Sequence, residues 1–277
     1  MKLFIDSADI DEIRSVKDYG ILDGVTTNPS LIKKASEKHK IKSMEYYIKQ
    51  ILKLCKGIPV SLEVIGNTYD DMLNEALLLY KKFNPVAKNV YVKIPVNPCF
   101  SLICDNDMDG IKVIKQLSKK KIPVNCTLIF TPEQAILAAK AGAKIVSPFS
   151  GRVDDFLRAN AKIKFEKTDY YPAGGLKKGK KILNDKGITS GVDLIKKIRI
   201  IFDNGKIKSE ILAASIRNKR EFREVALVGA DIATVPFKVI QNLNKHKKSV
   251  EGMKKFTKDI VPEYMSLLHP KKRTKWK

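Results

Sequence analysis

Val90-Tyr91-Val92-Lys93-Ile94-Pro95-Val96 is the stretch on which the reading of this chain turns. It is dense in β-branched residues and too short between its flanks for a helix, so it reads as a buried strand. Side chains along a strand alternate between its two faces. Val90, Val92 and Ile94 then share one face, and Tyr91 and Lys93 share the other. A lysine inside an otherwise apolar strand needs a reason.

Seven further runs of the same kind surround it: Leu3–Ser7, Gly24–Asn28, Pro59–Ile65, Pro123–Phe130, Ile145–Ser150, Glu210–Ile216 and Ile232–Pro236. Most of the gaps carry apolar residues at three- and four-residue spacing, as at Ile10, Ile13 and Val16, or Met72, Ala76, Leu79 and Phe83. Thr131-Pro132-Glu133 is a helix start, with a capping hydroxyl, a proline at the first position and an acid in the first turn. Strands alternating with helices predict a parallel sheet. Eight such units predict its closure into a single-domain α/β (β/α)8, or TIM, barrel over residues 1–277. No glycine-rich dinucleotide or nucleotide loop follows the first strand, which speaks against an open doubly wound sheet.

Two connections exceed the rhythm, Asn97–Gly110 and Val153–Ser190. The second is read as a cover loop leaving the sixth strand after Arg152, with Lys177, Lys178, Lys180 and Lys181 placing positive charge near the mouth. A C-terminal helix is predicted over Val250–Leu268, and the basic tail His269–Lys277 is read as solvated.

The 277 residues carry a net charge of +23, which favours anionic partners. Lysine supplies 45 of the 53 basic residues and arginine 8, spread along the whole chain. That is not the clustered, aromatic-interleaved footprint of nucleic-acid binding, so phosphorylated small molecules are the expected ligands. No apolar run is long enough to span a bilayer, and no signal segment is read at the start, so a cytoplasmic protein without membrane partners is expected. The four cysteines show no CxxC pair and the three histidines lie far apart, so free thiols, no metal and no cofactor are expected. Asp105-Asn-Asp-Met-Asp-Gly opens like a calcium loop, but Gln116 stands where a bidentate glutamate is needed.

Counting strand alternation outward from Lys93 places the unexpected polar residues in one interior: Asp6, Thr26 and Asn28, Ser61 and Glu63, Asn125 and Thr127, Ser147 with Phe149, and Ser215 with Arg217. Most fall near the C-terminal ends of their strands, where these barrels carry active sites. A salt-bridged network, with Lys93 paired to Glu63 or Asp6, would explain any one of them. Their convergence points instead to chemistry. Desolvation disfavours an ammonium charge, so an interior lysine is a candidate amine nucleophile toward a ketone. The imine it forms is an electron sink for cleaving the adjacent carbon–carbon bond. Two carboxylates, Asp6 and Glu63, can move the protons this requires, with no metal.

Phe4-Ile-Asp-Ser-Ala-Asp, Gly24-Val-Thr-Thr-Asn-Pro-Ser, Val92-Lys-Ile-Pro, Asn125-Cys-Thr-Leu-Ile-Phe, Ser147-Pro-Phe-Ser-Gly-Arg and Ala213-Ala-Ser-Ile-Arg occur in that order. Together they resemble the transaldolase family up to about Leu243. The resemblance implies transfer of a dihydroxyacetone unit from a ketose phosphate, sedoheptulose 7-phosphate or fructose 6-phosphate, to an aldose phosphate in the pentose phosphate pathway. It implies Lys93 as the imine lysine, Asp6 as the proton carrier, and Glu63 with Thr127 as holders of the catalytic water. Asn28, Asn125 and Ser147 would bind the hydroxyls of the three-carbon unit, beside Phe149. Arg152, Ser215 and Arg217 would grip the phosphate. Related fructose 6-phosphate aldolases tend to carry glutamine at the position of Glu63 and tyrosine at that of Phe149, so the residues here favour transaldolase over aldolase cleavage. A barrel that binds anions or nucleic acid without catalysis is the third reading. The resemblance also implies a homo-oligomer, a pentamer or decamer.

Overall fold

Most helices of the chain begin at a side chain that satisfies their first free amides. Asp9, Asn28, Ser43, Thr68, Thr131, Ser190 and Asn218 each accept a backbone N–H from the turn they open. A computed structural model describes residues 1–268; the tail His269–Lys277 lies outside the described residues. Residues Met1–Ile240 make one compact unit and the described residues from Gln241 onward a second.

The chain runs β1 (Lys2–Asp6), α1 (Ile10–Asp18), β2 (Gly24–Thr26), α2 (Pro29–His39), α3 (Met44–Leu54), β3 (Val60–Glu63), α4 (Tyr69–Ala87), β4 (Val90–Pro95), α5 (Asp109–Lys119), β5 (Val124–Ile129) and α6 (Pro132–Ala141). It continues with β6 (Ile145–Pro148), α7 (Ser150–Asn160), a small hairpin of β7 (Lys177–Lys178) and β8 (Lys181–Ile182), α8 (Gly191–Asn204), β9 (Glu210–Ala213), α9 (Lys219–Leu227), β10 (Ile232–Val235) and α10 (Phe237–Leu243). Eight parallel strands close in the order β1-β10-β9-β6-β5-β4-β3-β2. This is the (β/α)8 barrel expected from the alternation of strands and helices.

The closed sheet has two apolar layers. Val25, Val60, Val92, Ile94 and Val146 are buried against the helices. Phe4, Ile145, Leu212, Ala214 and Ile232 pack together as a core cluster with Tyr91 and Phe149 against it. Gly24 makes room for it: a Cβ there would lie 2.2 Å from the Phe4 ring. These side chains fill the floor beneath the polar residues.

Five expectations change. The enlarged connection does not begin after Arg152, because α7 intervenes; the extra segment is 161–190. It is docked, with Tyr171 fully buried and Arg158 donating to the carbonyls of Asp169 and Tyr170. None of Lys177, Lys178, Lys180 and Lys181 lines the cavity at the barrel mouth, and Lys178 Nζ donates to the Ala161 carbonyl at 2.8 Å. That carbonyl follows the far end of α7, roughly 14 Å of helix rise from Arg152.

The predicted C-terminal helix is two, α11 (Lys247–Lys258) and α12 (Pro262–Leu268). Pro262 lacks an N–H and disfavours helical backbone in the residue before it, so it starts a new helix instead of continuing the old one. Cys99 and Cys104 are joined as a disulfide, where free thiols were expected; the connection folds back on itself and brings their Cα atoms to 6.3 Å. Cys55 and Cys126 are free and buried. Finally, strict alternation fails just past β9, at Ser215, as described below. Among the described residues no helix is long and apolar enough to cross a membrane.

Candidate active site

The register of the barrel puts the carboxylate and the lysine side by side. β3 and β4 pair with Glu63 opposite Lys93, and β4 and β5 pair with Lys93 opposite Asn125. Lys93 is 5% exposed. Its Nζ stands 3.0 Å from Glu63 Oε2 and donates to the Thr27 carbonyl at 3.3 Å. Glu63 Oε2 and Thr127 Oγ1 are buried oxygens without an aligned hydrogen bond inside the protein. Buried polar atoms left in this state are uncommon, and these two lie beside the Lys93 amine or on the strand next to it.

Across the mouth, β1 and β2 pair with Asp6 beside Thr26. The Thr26 hydroxyl donates to Asp6 Oδ1 at 2.7 Å and shares a 2.6 Å hydrogen bond with Thr234. Burial holds the Asp6 carboxyl above its ordinary value; Lys93, the Thr26 hydroxyl and Arg152 pull it down without cancelling the rise. Thr234 was missed in the sequence reading, although it is the one polar residue of a short apolar strand.

Ser147 Oγ donates to Asn125 Oδ1 at 2.6 Å, and Asn125 Nδ2 donates to Ser61 Oγ at 3.1 Å, a buried chain spanning three strands. Asn28 accepts from Leu31 N at 3.0 Å as the cap of α2, so its carbonyl is engaged and its amide is available. A cavity of about 110 Å³ joins Asp6, Asn28, Lys93, Ser147, Phe149, Arg152 and Ser215 with Thr26, Thr234, Leu212 and Ala214. Glu63 borders a neighbouring cleft with Thr27 and Asn28, so it lies between the two openings.

The last corner of the site forms where α7 begins. Its cap position is Phe149, which offers no side-chain oxygen, and Arg152 is exposed in the first turn, its guanidinium 4.8 Å over the Phe149 ring. A helix start without a side-chain cap, beside an arginine, combines free amides with positive charge, the chemistry that suits an anion. Alternation had placed Ser215 and Arg217 inward together. Instead Leu212 and Ala214 line the cavity, and Ser215 joins them because its backbone is left-handed, φ 64°. That conformation is unfavourable for a residue with a Cβ and collects at functional sites.

Arg217 does not line the cavity. Its two terminal nitrogens bind Asp155 and it packs beside Gly151, where a Cβ would lie 2.4 Å from the Ser215 carbonyl oxygen and 3.0 Å from Arg217 Nε. Behind it Asp154 is pushed by burial up to about 7, while Gly191 N–H, Arg158 and Arg217 oppose the rise. Asp155 and Gly151 left no signal in the sequence, since their partner lies 62 positions away in the first case and a bare glycine is ambiguous in the second.

Among the described residues, Asp9, Asp11 and His39 are the one group whose ligand atoms come within 4.8 Å of one another. Asp9 is already engaged by Lys38, His39 and the Asp11 amide. In the acidic run Asp109 accepts from Tyr69 N and Lys112 instead of facing its acidic neighbours.

Residues 3–272 match the family described as Transaldolase/Fructose-6-phosphate aldolase. A probable transaldolase of Thermoplasma acidophilum is 42% identical over 261 residues, covering 94% of this chain and 95% of the relative. One from Geotalea daltonii is 41% identical over 94% of this chain and 97% of the relative. Another, from Aquifex aeolicus, is 39% identical over 95% and 99% respectively.

Proposed function

We propose that this chain, which belongs to the transaldolase/fructose-6-phosphate aldolase family, is a transaldolase in the strict sense, moving a dihydroxyacetone unit from a ketose phosphate to an aldose phosphate through an imine on Lys93. The observation that carries the reading is the enclosed amine of Lys93, 3.0 Å from Glu63 Oε2, in a cavity that also contains Asp6.

Lys93 Nζ adds to the donor ketone, and loss of water gives the iminium. Glu63 and Thr127 hold the water that leaves here and returns at hydrolysis, a role supported by two buried oxygens, Thr127 Oγ1 and Glu63 Oε2, that have no aligned hydrogen bond inside the protein, Glu63 Oε2 facing the Lys93 amine. The ionised Asp6 takes the proton of the hydroxyl beyond the three-carbon unit as the carbon–carbon bond breaks. The bonding electrons pass into the imine as an enamine and the first aldose phosphate departs. Asn28 and the Ser147–Asn125 pair hold the hydroxyls of the retained fragment. The acceptor aldehyde then enters, the enamine carbon attacks it, and Asp6 returns the proton. Arg152, Ser215, the first turn of α7 and Arg217 bind the phosphate.

Phe149 lines the cavity with a ring that has no proton to give, and Glu63 supplies a carboxylate where an amide would not ionise. Both favour an enamine that waits for a second sugar. With fructose 6-phosphate alone, steady turnover is therefore expected to be at least about tenfold slower than with erythrose 4-phosphate added. Turnover that does not depend on the acceptor would instead identify an aldolase.

A further inference from the structure

Arg217 is held from one side only. Nη1 and Nη2 donate in parallel to the two oxygens of Asp155, each at 2.5 Å, and Nη1 donates again to the Lys167 carbonyl at 3.1 Å. These bonds use the terminal edge of the guanidinium. A guanidinium has five N–H donors in a fixed fork, so Nε–H and one Nη2–H remain along the side edge. Nε stands 3.0 Å from the place a Cβ on Gly151 would take, so that edge lies against the first turn of α7, the turn that carries Arg152. Lys167 belongs to the 161–190 segment, which Arg158 ties down through two neighbouring carbonyls. The segment thus reaches the site by holding Arg217 from behind, and its lysine hairpin is not needed for this.

We propose that Asp155 is a positioning residue for the substrate phosphate: by taking the terminal edge of Arg217, it fixes the side edge toward the anion site formed by Arg152, Ser215 and the start of α7. The inference rests on the reading of that corner as the phosphate subsite. Bidentate arginine–carboxylate pairs add geometric definition as well as energy, so the expected consequence of losing this one is a misaimed guanidinium. An aspartate that competed with the phosphate for Arg217 would have the opposite effect.

Asp155→Ala and the volume-conserving Asp155→Asn test it, each with fructose 6-phosphate plus erythrose 4-phosphate and, separately, with dihydroxyacetone, which has no phosphate. For Asp155→Ala the KM for fructose 6-phosphate is expected to rise about tenfold or more with kcat within about threefold of the parent. Asp155→Asn, which keeps one acceptor, should rise less. Borohydride trapping of the dihydroxyacetone imine on Lys93 should proceed as in the parent for both, a result that general damage to the fold would not give. An unchanged KM in both variants overturns the inference, and a lowered KM makes Asp155 a competitor. Arg217→Ala separates the two layers. If it raises KM while the Asp155 variants do not, the positioning role alone fails. If it leaves KM unchanged, the phosphate reading of this corner fails and the inference falls with it.

Discussion

Lys93→Arg is expected to lower turnover of fructose 6-phosphate with erythrose 4-phosphate by on the order of 10⁴-fold or more, to background. Arginine keeps a cation beside Glu63 Oε2, which the lysine amine now approaches to 3.0 Å, but a guanidinium does not condense with a ketone to form the imine. Lys93→Met removes the amine and also strips the carboxylate of its neighbouring charge. Removing one partner of a buried pair destabilises by about 3–5 kcal/mol. The Glu63 side chain is 15% exposed, which places the expected loss at the low end of that range. Thermal unfolding recorded beside turnover therefore separates two effects. The arginine variant should lose activity with little loss of stability, and the methionine variant should lose both. Activity in Lys93→Arg within about a hundredfold of the parent would mean that the amine is not the nucleophile.

Asp6→Asn is expected to lower kcat by about 10²–10⁴, the usual effect of deleting a positioned acid–base group, without preventing imine formation from dihydroxyacetone. Its pH dependence is the sharper test. The form that accepts a proton in donor cleavage is the carboxylate, present above the Asp6 pKa. Burial raises that pKa above its ordinary 3.8, and Lys93, Thr26 and Arg152 offset the rise only in part. The kcat/KM of the parent should thus fall on acidification sooner than an exposed aspartate would dictate, and Asp6→Asn should lack that limb. A variant with near-parental kcat, or with the acid limb intact, would assign the proton transfer to another group.

The parts legible in the sequence are those that local rules govern. Period-two alternation is a property of an extended backbone, so Lys93, Glu63, Asp6, Asn125 and Ser147 could be placed on the inner face from their spacing alone. Capping chemistry made the start at Thr131-Pro132 readable in the same way, and the structure has that helix begin at Pro132. Where alternation breaks, the reading breaks with it. Ser215 reaches the cavity through a left-handed backbone just past β9, and no residue type nearby announces such a turn, because glycine would be the ordinary choice.

Long-range pairing was the other blind spot. Arg217 has the right chemistry for an anion, but its orientation depends on Asp155, one of two adjacent α7 carboxylates, and on a carbonyl of the 161–190 segment. The lysines of that segment suggested a cover because charge is visible in a sequence while the path of a loop is not. Lys178, bound at the far end of α7, shows the difference. The division of the C-terminal helix was foreseeable from Pro262; the apolar spacing on both sides of it made one continuous helix look plausible.

On the proposed mechanism Lys93 carries the substrate as an imine. Incubating the protein with fructose 6-phosphate, reducing with borohydride and mapping the added mass by peptide mass spectrometry tests it directly. A three-carbon adduct on Lys93, the dihydroxyacetone unit fixed as a secondary amine, is the expected result. Folded, active protein with no adduct, or with the adduct on any other lysine, would contradict it.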